Sequence, residues 1–292
     1  MTVPAQVVAL PARRSRTRAL LAALRPAQWS KNLLVFAGIV FAAQLDDARR
    51  WVWALTAFAA YCAASSAAYL VNDVRDAEDD RRHPSKRGRP VARGEVSARV
   101  ALAAAAALAG AALLLVVPLG WATVGLLAGF LALQAAYTLG LKRLVLLDVF
   151  AIGALFVIRA VAGAEAVEVR ISPWLLVCTA LLALFLALAK RRGELAAGVH
   201  VPDGYSLALV DQLVAIVAAS TVIAYSLYTF TAHSTAMMAT IPFVLYGVFR
   251  YLLLVHRDDL GEEPEQVLLT DLPILATVAL WATTSAAILE LT

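Results

Sequence analysis

Apolar segments recur nine times along this chain, at roughly residues 32–45, 51–71, 98–117, 119–138, 144–164, 173–189, 207–231, 236–255 and 270–290. Most approach the ~20 residues that an α-helix needs to cross a bilayer. The first is short and gains length if its helix begins at Ala27. Only Pro118-Leu119-Gly120 separates the third from the fourth, so those two are expected to form a tight helical hairpin. Ahead of the first segment, Arg13 to Trp29 reads RRSRTRALLAALRPAQW, whose apolar run stops after six residues at Arg25 and Pro26. That is too short for a signal peptide. It suits an interfacial amphipathic helix over 13–29, with Leu20, Leu21 and Leu24 in lipid and Arg14 and Arg18 at the headgroups. Residues 1–12 carry no periodicity and are expected to form a disordered tail.

Composition agrees with this pattern: 62% of the 292 residues are hydrophobic and the mean hydropathy is +0.77, beyond the range of a soluble domain. The fold class that follows is all-α, a polytopic integral membrane protein with one nine-helix domain over 30–292. If the N-terminus is cytoplasmic, all of the 25 Lys and Arg except Arg49, Arg50, Arg159 and Arg170 fall on the inner side. The positive-inside rule therefore sets N-in, C-out, and every chemically capable stretch faces the cytosol from a cell (inner or plasma) membrane. Cys62 and Cys178 lie in apolar segments, where thiols act as small hydrophobes. No nucleotide loop, Ser-His-Asp order or zinc spacing occurs. Nucleic acid is excluded as a partner because topology and phosphate binding account for the bases, and a homo-oligomer is left open. His83 and His256 are given no chemistry.

The stretch Tyr69 to Pro90, YLVNDVRDAEDDRRHPSKRGRP, places acids directly before bases. On a continuing helix Asp73, Asp76 and Asp80 fall at i, i+3 and i+7, and Asn72, Asp76 and Asp80 at i, i+4 and i+8. Carboxylates so close repel one another unless a cation sits among them. Oxygen donors alone, without His or Cys in the same turn, favour Mg²⁺. Arg81, Arg82, Lys86, Arg87 and Arg89 would then meet phosphate oxygens. The alternative is a solvated loop of mixed charge that caps a helix.

Other candidates surround this stretch. Lys31 and Asn32 sit at the cytoplasmic mouth of the first segment, within reach of a phosphate. Tyr69 precedes Asn72 by a turn and is placed either to bond a ligand or to serve as an interfacial aromatic. Lys142 and Arg143 mark the entrance to the fifth segment, with Tyr137 just before. Asp148 and Arg159, eleven apart, share a helix face about 16 Å from one another. So deep an arginine should face a polar cavity or an anion, or pair with a carboxylate on a neighbouring helix. Lys190, Arg191 and Arg192 end the sixth segment, either as topology anchors or as part of the site.

These residues resemble the UbiA prenyltransferase superfamily. Its motif NDxxDxxxD is matched by Asn72, Asp73, Asp76 and Asp80, and HPxKxxRP by His83, Pro84, Lys86, Arg89 and Pro90. RPAQWSKN, YTLGLK with FVIRAVAG, AKRR and GEEPE extend the likeness over most of the chain, and most closely toward the decaprenyl-phosphate phosphoribosyltransferase branch. The resemblance implies nine helices around a central cavity, use of Mg²⁺, and transfer of a phosphoribosyl group from 5-phosphoribosyl 1-diphosphate (PRPP) to a polyprenyl phosphate, feeding cell-wall arabinan synthesis. It implies metal binding by Asn72, Asp73, Asp76 and Asp80, the three aspartates being catalytic. Substrate binding would fall to Lys31, Tyr69, Lys86, Arg89, Tyr137, Lys142, Arg159, Lys190 and Arg191. Prenyl-transferring members carry a second acidic motif, DxxxD, where this chain has Lys190, Arg191 and Arg192. Transfer of a prenyl group from its diphosphate to an aromatic or other acceptor is the alternative that this departure opposes.

Overall fold

The computed structural model describes residues 14–41, 46–83, 86–170, 172–198, 201–231, 235–257 and 270–291, and every regular element among them is helical. The expected tail over 1–12 and the GEEPE stretch lie outside the described residues. The helices are α1 (Arg16–Ala23), α2 (Ala37–Phe41), α3 (Ala48–Arg75), α4 (Ala77–Arg82), α5 (Ala98–Val116), α6 (Trp121–Leu139), α7 (Leu147–Ala166), α8 (Pro173–Ala196), α9 (Leu207–Thr231), α10 (Ile241–Arg257) and α11 (Leu272–Leu291). Several begin as the sequence dictates. Asp47 Oδ1 accepts from Arg49 N at 2.9 Å to cap α3, Ser97 caps α5 and Pro173 opens α8.

Seven helices among the described residues are long and apolar enough to cross a membrane. The last apolar segment forms α11, of which Leu272–Ile288 counts as a shorter apolar helix. The first segment departs furthest from expectation. It winds as a 3-10 helix over Pro26–Phe36 before the single α-helical turn of α2, although 3-10 runs beyond a few residues are uncommon. Close packing accompanies the departure. A Cβ on Gly163 of α7 would lie 1.9 Å from Val35 O, and one on Gly38 would lie 2.6 Å from Ala164 Cα. The segment therefore crosses α7 backbone against backbone, which only glycine permits.

Leu20 and Leu24 of the N-terminal stretch, expected in lipid, pack instead against a cluster that includes Ala67, Leu70 and Val96. Leu21 is exposed.

The hairpin of α5 and α6 turns at Pro118 as expected, with Gly120 at φ 101°. Near that turn Ala112 and Val116 of α5 share one core cluster with Leu127 and Phe130 of α6. Toward the opposite ends the two helices part. α5 stays packed along α3, and residues 102–109 and 131–138 border a crevice with α3 of about 260 Å³.

Candidate active site

The acidic motif begins in the last turn of α3. The helix breaks at Asp76, whose φ of −94° and ψ of 8° leave the regular range, so the continuous helix assumed from sequence is interrupted. Helical bonding nonetheless bridges the break: Asp76 N donates to Asn72 O at 2.9 Å, and Asp80 N to Asp76 O at 2.8 Å. The two three-residue sets read from the spacing are still divided between two cations. Asn72 and Asp76 face one cation, and Asp73 and Asp80 face another.

Lys142, in the turn between α6 and α7, is the first of these. Its Nζ donates to Asp76 Oδ2 at 2.6 Å and Oδ1 at 2.7 Å, and to Asn72 Oδ1 at 3.3 Å. Arg89 is the second, reaching Asp80 Oδ2 at 2.7 Å and Asp73 Oδ1 at 3.5 Å. Arg25 also donates to Asp73 Oδ1. Asp73 Oδ2 is buried and has no hydrogen-bond partner among the described residues. The bases thus come from separate loops onto one helix end, as sequence spacing alone could not reveal. No group of three His, Cys, Asp or Glu side chains among the described residues forms a ready metal cage.

Lys86 lies in the loop after α4. Burial pushes its ammonium below the usual lysine range, with Arg89 and Lys190 adding to the effect and Glu194 and Asp80 opposing it. Those influences put the end of α8 beside the acidic motif. Two other bases of the stretch are committed elsewhere. Arg82 pairs with Glu78 at 2.7 Å on the exposed surface, and Arg81 Nε donates to Ala92 O at 3.0 Å.

A second charged cluster closes the other side. Arg191 Nε donates to Asp148 Oδ2 at 2.7 Å and its Nη1 to Glu194; Tyr137 lies within their electrostatic reach. Tyr205 Oη donates to Asp148 Oδ1 at 2.7 Å and accepts from Leu146 N at 2.9 Å. That bond holds Leu146 at φ 66°, a left-handed value that disfavours a leucine. Arg192 turns outward to Asp211 Oδ1 at 2.7 Å and Val255 O at 3.1 Å, tying α8 to α9 and α10.

Asp148 and Arg159 are both buried on α7, the inward face that their spacing indicates. Among the described residues Arg159 forms no carboxylate pair of the kind considered from sequence. Its Nε donates to Asn32 Oδ1 at 2.7 Å and its Nη1 to Leu155 O at 2.9 Å. The guanidinium stands 4.5 Å from the Phe130 ring centre and 5.4 Å from that of Phe156. Neutral dipoles and π-faces offset its desolvation. Asn32 also bonds Ser65 and Cys62 at 3.3 Å each, linking the first segment to α3. Lys31 precedes it, partly buried, and Tyr69 receives the Arg25 guanidinium 4.9 Å from its ring centre.

Arg25 and Tyr205 escaped the sequence reading. Arg25 adopts φ 53°, ψ 61°, and Pro26 after it was a legible sign, because proline bars the preceding residue from the right-handed helix. Nothing in the spacing marked Tyr205.

Compared with known proteins, residues 32–285 match the model of the UbiA prenyltransferase family. Two relatives are named decaprenyl-phosphate phosphoribosyltransferase. The one from Mycobacterium tuberculosis (strain ATCC 25618 / H37Rv) is 33% identical, covering 91% of this chain and 93% of its own. The one from Mycolicibacterium smegmatis is 32% identical and covers 86% of each. Among solved structures, a UbiA homolog from Archaeoglobus fulgidus bound to GPP and Mg²⁺ is similar with a TM-score of 0.74 at 18% identity, over 93% of this chain and 99% of that one.

Proposed function

The chain belongs to the UbiA prenyltransferase family, and from that premise we propose that this transferase moves the 5-phosphoribosyl group from PRPP to a polyprenyl phosphate such as decaprenyl phosphate, releasing diphosphate. The carrying observation is that Arg89 reaches Asp80 at 2.7 Å and Lys190, at the end of α8, acts electrostatically on Lys86 beside them, where a prenyl-transferring relative would need a second set of acids. Two phosphorylated substrates require such a wall, one of them bound through metal and the other through direct ion pairs. The names of the relatives support the same reading.

The acceptor needs no general base, because a phosphate monoester is already anionic near neutral pH, its second pKa being about 6. One of its oxygens attacks the anomeric carbon as the bond from that carbon to the diphosphate oxygen breaks, so the configuration inverts. The donor set fits Mg²⁺. The Lys142 ammonium already rests on the oxygens of Asn72 and Asp76, and the orphaned Asp73 Oδ2 has no hydrogen-bond partner among the described residues. Asn72 and Asp76, with Asp73 and Asp80 in support, would hold Mg²⁺, which would supply positive charge to stabilise the departing diphosphate. Lys142, freed from the carboxylates, would join Lys31, Tyr69, Lys86 and Arg89 in holding phosphate groups. Lys190 and Arg191 complete the basic wall, with Tyr137 beside Arg191, and Arg159 keeps Asn32 in place at its inner end.

Nine spans with the N-terminus inside and the C-terminus outside belong to the same proposal, as does an active site open to the cytosol. The product's use in cell-wall arabinan also belongs here. The test is a detergent assay with labelled PRPP, decaprenyl phosphate and Mg²⁺. Butanol-extractable label that disappears with EDTA supports the reading. Absence of lipid-bound label across several polyprenyl phosphates, from folded protein that instead alkylates an acceptor with a polyprenyl diphosphate, overturns it.

A further inference from the structure

Lys142 meets Asn72 and Asp76 from the connection between α6 and α7, and the local sequence does little to fix that connection. After Gly140 it makes one 3-10 turn over Leu141–Arg143 and then a much tighter one. Leu147 N donates to Val145 O at 2.9 Å, with Leu146 between them at φ 66° and ψ −43°. Those angles and that bond define a γ-turn of the rare, strained hand. Leucine supplies no reason for it, since its side chain is 41% exposed and a positive φ suits glycine. Left to itself the backbone would relax to negative φ. What holds it must come from elsewhere in the fold.

Two side chains from outside the connection hold it, one at each end. Arg75 Nη2 donates to Leu139 O at 3.0 Å, satisfying a carbonyl left over where α6 stops. Tyr205 Oη accepts from Leu146 N at 2.9 Å, satisfying an amide left over where α7 starts. Lys142 stands between these anchors. Tyr205 is the better braced of the two. Its proton goes to Asp148 Oδ1 at 2.7 Å, and a hydroxyl that donates to a carboxylate is a stronger acceptor for the amide. Arg191 Nε donates to the other oxygen of that carboxylate at 2.7 Å. Val201 and Tyr205 belong to a core cluster against which Val145 packs. A chain of bonds thus runs from α8 through Asp148 and Tyr205 to the backbone just after Lys142.

We propose that Tyr205 is a positioning residue for Lys142: its hydroxyl holds the turn at Leu146, and that turn sets where the ammonium meets the acidic motif. The hydroxyl is spent on Leu146 and Asp148, so it acts on the site through the backbone. Its bearing on catalysis rests on the phosphoribosyl-transfer reading, in which Lys142 grips a phosphate group. Its bearing on the place of Lys142 does not. The knot around Asp148 thereby serves the acidic motif at a distance, as the fixed point from which one of its bases is hung.

Tyr205→Phe removes the hydroxyl and keeps the ring. In the full chain in detergent, labelling of Lys142 by a small acylating reagent should then rise about fivefold relative to Lys31, the change expected from one lost hydrogen bond. Adding Leu146→Gly should bring the labelling back toward wild type, because glycine adopts a positive φ without strain. That rescue separates positioning from a general loss of stability, since Asp148 lacks the same partner in both variants. Unchanged labelling of Lys142 in the Phe variant overturns the proposal. So does raised labelling that Leu146→Gly leaves as high, which would assign the effect to Asp148 and Arg191. Wild-type protein supplies a test that holds even if the Phe variant fails to fold. Residue-resolved hydrogen exchange should find the Leu146 amide protected, and exchange as fast as an open loop overturns the bond on which the proposal stands. In phosphoribosyl transfer, kcat/KM for PRPP should fall about fivefold in Tyr205→Phe and recover in the double variant. If wild-type protein transfers no phosphoribosyl group, the proposed function fails, and labelling and exchange still decide whether Tyr205 positions Lys142.

Discussion

Two acid–base clusters of similar composition face one another at the charged end of this protein, and they are built to opposite ends. Around Asp148, every strong group is committed within one tight knot. Arg191 binds Asp148 and Glu194, Tyr205 fills the other Asp148 oxygen, and that same hydroxyl pins Leu146. Around Asp73 and Asp76, cations arrive from three loops onto one helix end, and a buried carboxylate oxygen is left over. The first cluster offers a ligand only what Arg191 has left beyond Asp148 and Glu194. The second can exchange an ammonium or guanidinium for a metal and hand the displaced base to a phosphate. Composition does not separate structural from functional charge here. The number of commitments per atom does.

The comparison can be broken first at Asp76. Asp76→Ala should lower phosphoribosyl transfer on the order of 10³-fold while leaving the thermal unfolding midpoint in detergent close to wild type, since Lys142 regains solvent. At the other cluster the balance reverses. Asp148→Ala strands part of Arg191 and the Tyr205 hydroxyl in a buried setting, and should cost ~3 kcal/mol of stability, the low end for a broken buried pair because Glu194 still holds Arg191. A clear drop in the unfolding midpoint is the readout, and an Asp148→Ala protein as stable as wild type but inactive would exchange the roles assigned to the two clusters.

Lys86 sharpens the contrast through pH. Its proton is held less tightly than an ordinary lysine's, chiefly because it is buried, so its charge is lost as pH rises through a value below that of an ordinary lysine. The Michaelis constant for PRPP should therefore climb on the alkaline side earlier than free lysine predicts, and Lys86→Arg, which keeps its charge, should flatten that limb. The smallest effect belongs to Arg82. Its pair with Glu78 is exposed on both sides, so Arg82→Ala should change stability by less than about 0.5 kcal/mol and leave PRPP affinity unchanged.

Spacing along the chain disclosed what a single helix can disclose. Helical periodicity grouped Asn72, Asp73, Asp76 and Asp80 at one helix end, but did not give their division between Lys142 and Arg89. The inward direction of Asp148 and Arg159 was legible in the same way. Periodicity cannot say which loop delivers a counter-charge from 70 residues away, so Lys142 meeting Asn72 and Tyr205 meeting Asp148 belong to tertiary structure alone. Arg159 taught a different lesson. A buried charge demanded compensation, but the polarity of Asn32, one carbonyl and two aromatic faces met that demand without a carboxylate. The first segment was misjudged because its conformation follows from contact with Gly163, not from its own pattern.

The helices long and apolar enough to cross a membrane also bear on what concentration means for this protein. A lipid acceptor is drawn from a two-dimensional solvent, and the quantity that sets its occupancy is its mole fraction in the surrounding amphiphile rather than its molarity in the tube. Adding detergent at constant lipid dilutes such a ligand as surely as adding buffer dilutes PRPP. Rates compared between micelles and native membranes will differ for that reason alone, with no change in the protein.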